Sequence, residues 1–296
     1  MVSPVPGPGA KFRTDKENPL PAREAPLAGL ERSENFPVAL RLLPSAERAH
    51  LQAIYDVARV IDDLGDEAEG DRVALLQAFR NDLRRIWHGA EPAAAVLRRL
   101  LPTVQACALE PEPFERLIQA NLQDQTVTRY PTQDELIAYC ALSADPVGRL
   151  VLAVYGAATP ETAVLSDRIC TALQILEHCQ DVGEDYARDR IYLPQNELRR
   201  FGVREEELGG QRTGPQLERL VQKMVADASG LLAEGRPLIG MLSGTARLAV
   251  AGYLAGGLAT IDALRRAHWN VLPTGPHPRK RDVARHAAGL LMGASR

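Results

Sequence analysis

Residues 55–67 read YDVARVIDDLGDE, and their spacing decides how the chain is organised. Leu51, Ile54, Tyr55 and Ala58 recur at the three- and four-residue steps of an α-helix and mark a face turned toward a core. Continuing that face by four-residue steps from Ala58 reaches Asp62 and then Asp66, with Asp63 beside them. An unpaired buried carboxylate is costly or loses its charge. The stripe therefore predicts inward acids and a positive partner that this stretch does not supply, while Glu67 and Glu69 can face water. The other reading, a solvated acidic helix end, is electrostatically poor, because negative charge then meets the negative end of the helix dipole.

A second acidic run strengthens the first. QILEHCQDVGEDYARDRIYLP, residues 174–194, sets Glu177, Asp181 and Asp185 at successive four-residue steps. Like charges at that spacing repel along a helix. Two such helices facing each other across a cavity would be relieved by divalent cations, and oxygen-only ligands favour Mg²⁺ or Mn²⁺ over zinc. Because Mg²⁺ commonly binds together with substrate phosphates, the pattern implies a diphosphate. Histidine offers no rival: Glu47 and His50 form a single Glu-x-x-His where a di-iron bundle needs two. His178 is expected on another side of its helix, as an ordinary core or surface residue. Nucleophile-elbow, Walker and dinucleotide-binding glycine motifs are missing, which leaves acyl transfer, NTP hydrolysis and Rossmann binding without support.

Working outward, the segments on either side read as helix. Ser45 is expected to cap a helix running to about residue 67, and Asp71 another ending near Gly89. Thr132 and Glu135 make a capping box, and Thr159 before Pro160 opens a helix reaching to about Asp185. Pro146 breaks or kinks the segment between Tyr139 and Gly156. Later helices are expected near 213–234, 245–267 and 279–291. The apolar run LAVAGYLAGGLATI at 248–261 is shorter than a bilayer span needs and reads as a buried helix. Residues 1–29, rich in proline and charge, have the composition of a disordered arm and are set apart from a domain at 30–296.

The 296 residues are 45% hydrophobic and 25% charged, with net charge −3; no basic surface for nucleic acid is indicated. Cys107, Cys140, Cys170 and Cys179 include no CxxC pair and no leader precedes them. Reduced thiols in the cytoplasm are expected.

Four segments, SENFPVALRLLP (33–44), YDVARVIDDLGDE (55–67), YCALSADPVGRL (139–150) and LQILEHCQDVGEDYARDRIYLP (173–194), together resemble the squalene/phytoene synthase family in order and interval. Within it the likeness is greatest to the bacterial hydroxysqualene synthases. The resemblance implies an all-α isoprenoid synthase fold, a single helical bundle around a central cavity. It implies Mg²⁺ held by Asp62 and Asp66 of one motif and Asp181 and Asp185 of the other, with Asp63 a ligand or an acceptor behind the ligands. Glu177, where many relatives carry asparagine, adds a further candidate ligand.

By the same resemblance Arg59 and Arg190 contact diphosphate. Tyr55, Tyr139 and Tyr253 line the cavity, Phe36 follows the opening motif, and Tyr139 orients the diphosphate or a water. Arg59, Tyr139, Asp62 and Asp181 would carry the chemistry, which converts presqualene diphosphate and water to hydroxysqualene without NADPH. Alternatives are head-to-head joining of farnesyl diphosphate to presqualene diphosphate or squalene, or of a longer substrate to phytoene, and a non-catalytic helical binding protein. The expected location is cytoplasmic, with transient contact at the inner face of the membrane and with neighbouring pathway enzymes.

Overall fold

The computed structural model describes residues 44–293; the proline-rich arm and Phe36 lie outside them. Among the described residues the elements are helical. The order is α1 (Ser45–Asp66), α2 (Arg72–Arg84), α3 (Ala95–Cys107), α4 (Glu112–Gln123), α5 (Gln133–Ser143), α6 (Asp145–Val154) and α7 (Pro160–Gln180). There follow α8 (Val182–Ala187), α9 (Gln195–Phe201), a 3₁₀ turn (Glu205–Gly209), α10 (Pro215–Gly235), α11 (Leu238–Met241), α12 (Gly244–Arg266) and α13 (Lys280–Gly293). One isolated parallel bridge joins Arg129 to Ile191.

Local chemistry accounts for most of the boundaries. The Thr132–Glu135 capping box is complete, with Glu135 Oε2 accepting from the Thr132 amide at 2.9 Å. Thr159 caps α7 ahead of Pro160 and is answered by Thr162. Asp71 Oδ1 accepts from the Ala74 amide at 3.0 Å, although α2 ends at Arg84 and reaches Gly89 only through turns. Ser45 is not a cap: Pro44 holds that position, no side chain closes the end, and Ser45 is the first helical residue. Pro146 falls in the first turn of α6, where its missing N–H costs nothing, and the chain breaks before it at Ala144. The helix from Thr159 does not run unbroken to Asp185. It leaves helical geometry at Asp181. Just beyond, the Gly183 backbone packs on that of Pro273, an approach that any Cβ would block.

Two apolar cores result. One gathers Ile54, Val57, Ile61 and Leu64 of α1 with Leu76, Phe79, Leu97 and Phe114 from α2 to α4. The larger one joins α5, α7 and α10 to α13, and its most extensive interface packs α7 against α10. α12 is long and apolar enough to cross a membrane by composition, but 61% of its most apolar window is buried inside the protein. It is the buried helix expected from residues 248–261. α1 and the α7–α8 junction thus belong to different cores, and Arg190, which follows the second acidic motif, reaches Asp66 of the first.

Candidate active site

On α1 the core face is Ile61, Leu64 and Gly65. Asp62 and Asp66 stand beside it and are exposed, so the inward stripe of acids is corrected to an edge. The reason is the one that made the stripe suspicious, since carboxylates resist an apolar interior. They border a polar cleft of about 380 Å³ lined by Arg59, Asp62, Asp63, Asp66, Glu67, Arg72, Arg188 and Arg190. The missing positive partners are there. Arg59 Nε lies 3.0 Å from Asp63 Oδ1 and its Nη2 3.4 Å from Glu67, while Arg190 Nη2 donates to Asp66 Oδ1 at 2.7 Å. Burial raises the Asp63 carboxyl and Arg59 draws it back. Asp62 accepts from Asn121 Nδ2 of α4 at 3.1 Å. That helix comes so close that a Cβ at Gly65 would fall 3.0 Å from Asn121 Cγ.

The second motif keeps its four-residue register through the break. The Asp181 amide donates to the Glu177 carbonyl at 2.9 Å, and the Asp185 amide to the Asp181 carbonyl at 2.7 Å. Glu177 is exposed, whereas Asp181 and Asp185 are partly enclosed. Burial, with repulsion from Asp185 and Glu184, pushes the Asp181 carboxyl up to about 6. His178 is a core residue, on a different side of the helix from exposed Glu177. It is buried, stacks on Tyr192 at 3.9 Å and holds Nδ1 3.9 Å from Asp185. Arg190 ties the motifs together, its amide donating to the Asp185 carbonyl at 2.9 Å and its guanidinium reaching Asp66.

Behind Arg190 is a knot of tyrosines. Tyr139 donates its hydroxyl to Asp124 Oδ2 at 2.7 Å. The ring centroids of Tyr130, Tyr139 and Tyr192 lie 5.2 to 5.6 Å apart. Burial holds the Tyr139 hydroxyl well above its ordinary range, so it is a neutral donor. Burial likewise pushes Asp124 up to about 6, against the pull of the Tyr139 hydrogen bond and the Arg190 charge.

Tyr253 is elsewhere. It packs on Leu51, Val151 and Tyr155, and Leu51 precedes Asp62 by eleven residues, about 16 Å along the helix. Tyr55, partly buried, lies on α1 between these ends. Tyr253 and Cys170 are both partly buried. The four cysteines are free thiols.

No three His, Cys, Asp or Glu side chains are gathered into a metal-binding group among the described residues. The donor chemistry nevertheless fits a hard divalent cation. The candidates are carboxylates, Asp181 is disfavoured as an anion by burial and by its acidic neighbours, and Arg190 supplies positive charge to Asp66. Sequence reasoning missed Asn121, Asp124, Arg72 and Arg188. A signal existed in NLQDQ (121–125), where Asn121, Asp124 and Gln125 recur at three- and four-residue steps.

Comparison with known proteins finds relatives of this chain. The squalene/phytoene synthase family profile matches residues 31–283. The hydroxysqualene synthase of Rhodopseudomonas palustris is 37% identical over 212 residues, covering 70% of each chain. The crystal structure of squalene synthase HpnC from Alicyclobacillus acidocaldarius superimposes with a TM-score of 0.76 at 39% identity, covering 80% of this chain and 90% of that one. A dehydrosqualene synthase structure shares the fold at TM-score 0.82 and 22% identity, covering 90% and 93%.

Proposed function

The chain belongs to the squalene/phytoene synthase family of enzymes, and from that premise we propose that it is a Mg²⁺-dependent hydroxysqualene synthase, turning presqualene diphosphate and water into hydroxysqualene and diphosphate. The observation that supports the reading is Arg190, whose amide donates to the Asp185 carbonyl and whose guanidinium donates to Asp66 in the polar cleft beside the first motif. Leu51, Val151 and Tyr155 around Tyr253 supply apolar surface away from it.

The chemistry divides along that axis. Asp62, Asp66, Asp181 and Asp185 would hold the cation, with Asp63 and Glu177 beside them; bound there, Mg²⁺ neutralises charge on the departing diphosphate. Arg59 and Arg190 hold phosphate oxygens and stabilise the charge that develops as the carbon–oxygen bond breaks. The interior excludes bulk water and so protects the cyclopropylcarbinyl cation while it rearranges. Faces of Tyr55 and Tyr253 stabilise positive charge along the prenyl chain. Tyr139, fixed by Asp124, orients the diphosphate or the capturing water. No hydride enters, so NADPH is not required.

We place the enzyme, one domain over residues 30–296, in the cytoplasm with transient contact at the inner membrane face, where an apolar product can leave. The test is to supply purified protein with presqualene diphosphate and Mg²⁺ without nicotinamide. Hydroxysqualene and diphosphate are expected; phytoene from a longer substrate, and nothing from presqualene diphosphate, would overturn the assignment.

A further inference from the structure

Asp181 stands where a carboxylate would ordinarily turn to water. It follows the last residue of α7, at the negative end of that helix's dipole, and Asp185 and Glu184 repel it as well. It also opens α8, a place where aspartate usually caps the helix by accepting an amide hydrogen bond. Its backbone, at φ −95° and ψ 15°, is not the extended form that capping uses, and its side chain makes no cap. The residue is nonetheless partly enclosed. Neither helix accounts for its placement.

A segment distant in sequence holds the residues on either side of it. Residues 270–276, NVLPTGP, lie in the connection from α12 to α13. One end is bolted to the start of α10: Asn270 Oδ1 accepts from the Thr213 amide at 2.9 Å, and the Val271 amide donates to Thr213 Oγ1 at 2.8 Å. Val271 and Leu272 are buried in the larger core. Beyond them the Pro273 backbone packs on Gly183, where a Cβ would fall 3.2 Å from the Pro273 carbonyl carbon. Gly275 packs on Gln180 so closely that a Cβ on it would fall 2.8 Å from the Gln180 Cα. The buried Gln180 side chain closes that contact, its Nε2 donating to the Pro276 carbonyl at 2.6 Å.

We propose that this strap positions Asp181: by gripping Gln180 before it and Gly183 after it, residues 273–276 fix the backbone from which the carboxylate reaches a divalent cation. Gln180, Gly183 and Gly275 are then positioning residues, acting through Asp181, and the inference rests on the reading of Asp181 as a metal ligand. The strap meets backbone at both points, so shifting it turns Asp181 without removing its charge. Metal binding weakens while the set of ligands stays complete. Groups that orient a ligand from behind contribute about ten- to a hundredfold to metal affinity.

The experiment is calorimetric titration with Mg²⁺ in the presence of inorganic diphosphate, on the wild type, Gly275→Ala, Gln180→Met and Leu97→Ala. Gly275→Ala drives a methyl into the Gln180 backbone. Gln180→Met keeps the length of the side chain but loses the bond to Pro276. Leu97→Ala, in the other core, destabilises the protein without touching the strap. Both strap variants are expected to weaken Mg²⁺ binding about tenfold, and Leu97→Ala less than about twofold. Diphosphate release at saturating Mg²⁺ should stay within about threefold of wild type in the strap variants, because Asp181 is turned rather than lost. Unchanged Mg²⁺ affinity in a folded strap variant, or an equal loss in Leu97→Ala, overturns the proposal. A turnover loss that saturating Mg²⁺ does not restore shows wider damage to the site and overturns it too. Should Gly275→Ala not fold, Gln180→Met, which adds no bulk, decides by the same criteria. A wild type that binds no Mg²⁺ with diphosphate would instead remove the metal reading itself, and the proposal with it.

Discussion

The two aspartate motifs meet the same problem, like charges four residues apart, in different ways. On α1 the helix is unbroken and each acid has a matched donor: Asn121 for Asp62, Arg59 for Asp63, Arg190 for Asp66. At the α7–α8 junction the helix breaks at Asp181, the acids are partly enclosed, and among the described ion pairs neither Asp181 nor Asp185 meets an arginine. Two acids of the first motif pair with arginines, whereas the described ion pairs of the second include none with arginine. A cation therefore relieves more strain at the second, although both are needed to hold it.

The largest expected effect tests their equality in chemistry. Asp62→Ala and Asp181→Ala should each lower diphosphate release at least about a thousandfold, since either removes a ligand that positions the leaving-group charge. Circular dichroism should show native helix content in both. A variant of either motif retaining a tenth of wild-type turnover would end the claim that the two act on one metal site.

Next is the arginine that neutralises only one side. Arg59→Gln should lower kcat/KM about a hundredfold, because it removes a charged donor to phosphate and leaves Asp63 without its ion-pair partner. Steady-state kinetics with saturating Mg²⁺ is the measurement, and a loss confined to metal affinity would assign Arg59 to the motif rather than to the substrate.

How far each motif could be read follows from the same contrast. The α1 pattern was legible because Leu51, Ile54 and Ala58 lie in one helical register with the acids, yet periodicity could not tell a core-facing acid from one at the edge of the core face. Only the tertiary partners Asn121 and Arg190, distant in sequence, show that the acids face a cleft. The capping box at Thr132 and the cap at Thr159 were readable because their hydrogen bonds span three residues. The break at Asp181 was not, because it accompanies the docking of Pro273 on Gly183 from 90 residues away, a contact no local pattern contains. Asp124 escaped for a like reason: nothing near it in the chain shows that Tyr139 hydrogen-bonds to it.

A smaller effect probes the packing under the first motif. Gly65→Ala would drive a methyl into Asn121, and the helices must part or Asn121 must leave Asp62. The expected loss is about 2 kcal/mol of unfolding free energy, the usual cost of overpacking. It is read from urea denaturation without metal; an unchanged midpoint would mean that α4 can yield here.

The smallest effect is the sharpest, because it gives the two motifs opposite signs. In the folded, metal-free protein the Asp181 carboxyl is raised to about 6 from 3.8. Below about pH 4 it is protonated in both folded and unfolded chains and costs nothing. Between about 4 and 6 the folded chain binds more protons than the unfolded one, so stability falls as pH rises through that window and stays lowered above it. Asp181→Asn should therefore be more stable than wild type at pH 7.5 without metal, by on the order of 1 kcal/mol after discounting for partial exposure. The two should be nearly equal at pH 4. Asp66→Asn removes an ion pair with Arg190 and should be slightly less stable than wild type at neutral pH. Added Mg²⁺ with diphosphate reverses the first order, because only the intact site gains binding energy. If Asp181→Asn is instead the less stable protein without metal at pH 7.5, the second motif is already neutralised by the fold, and the asymmetry between the two motifs disappears.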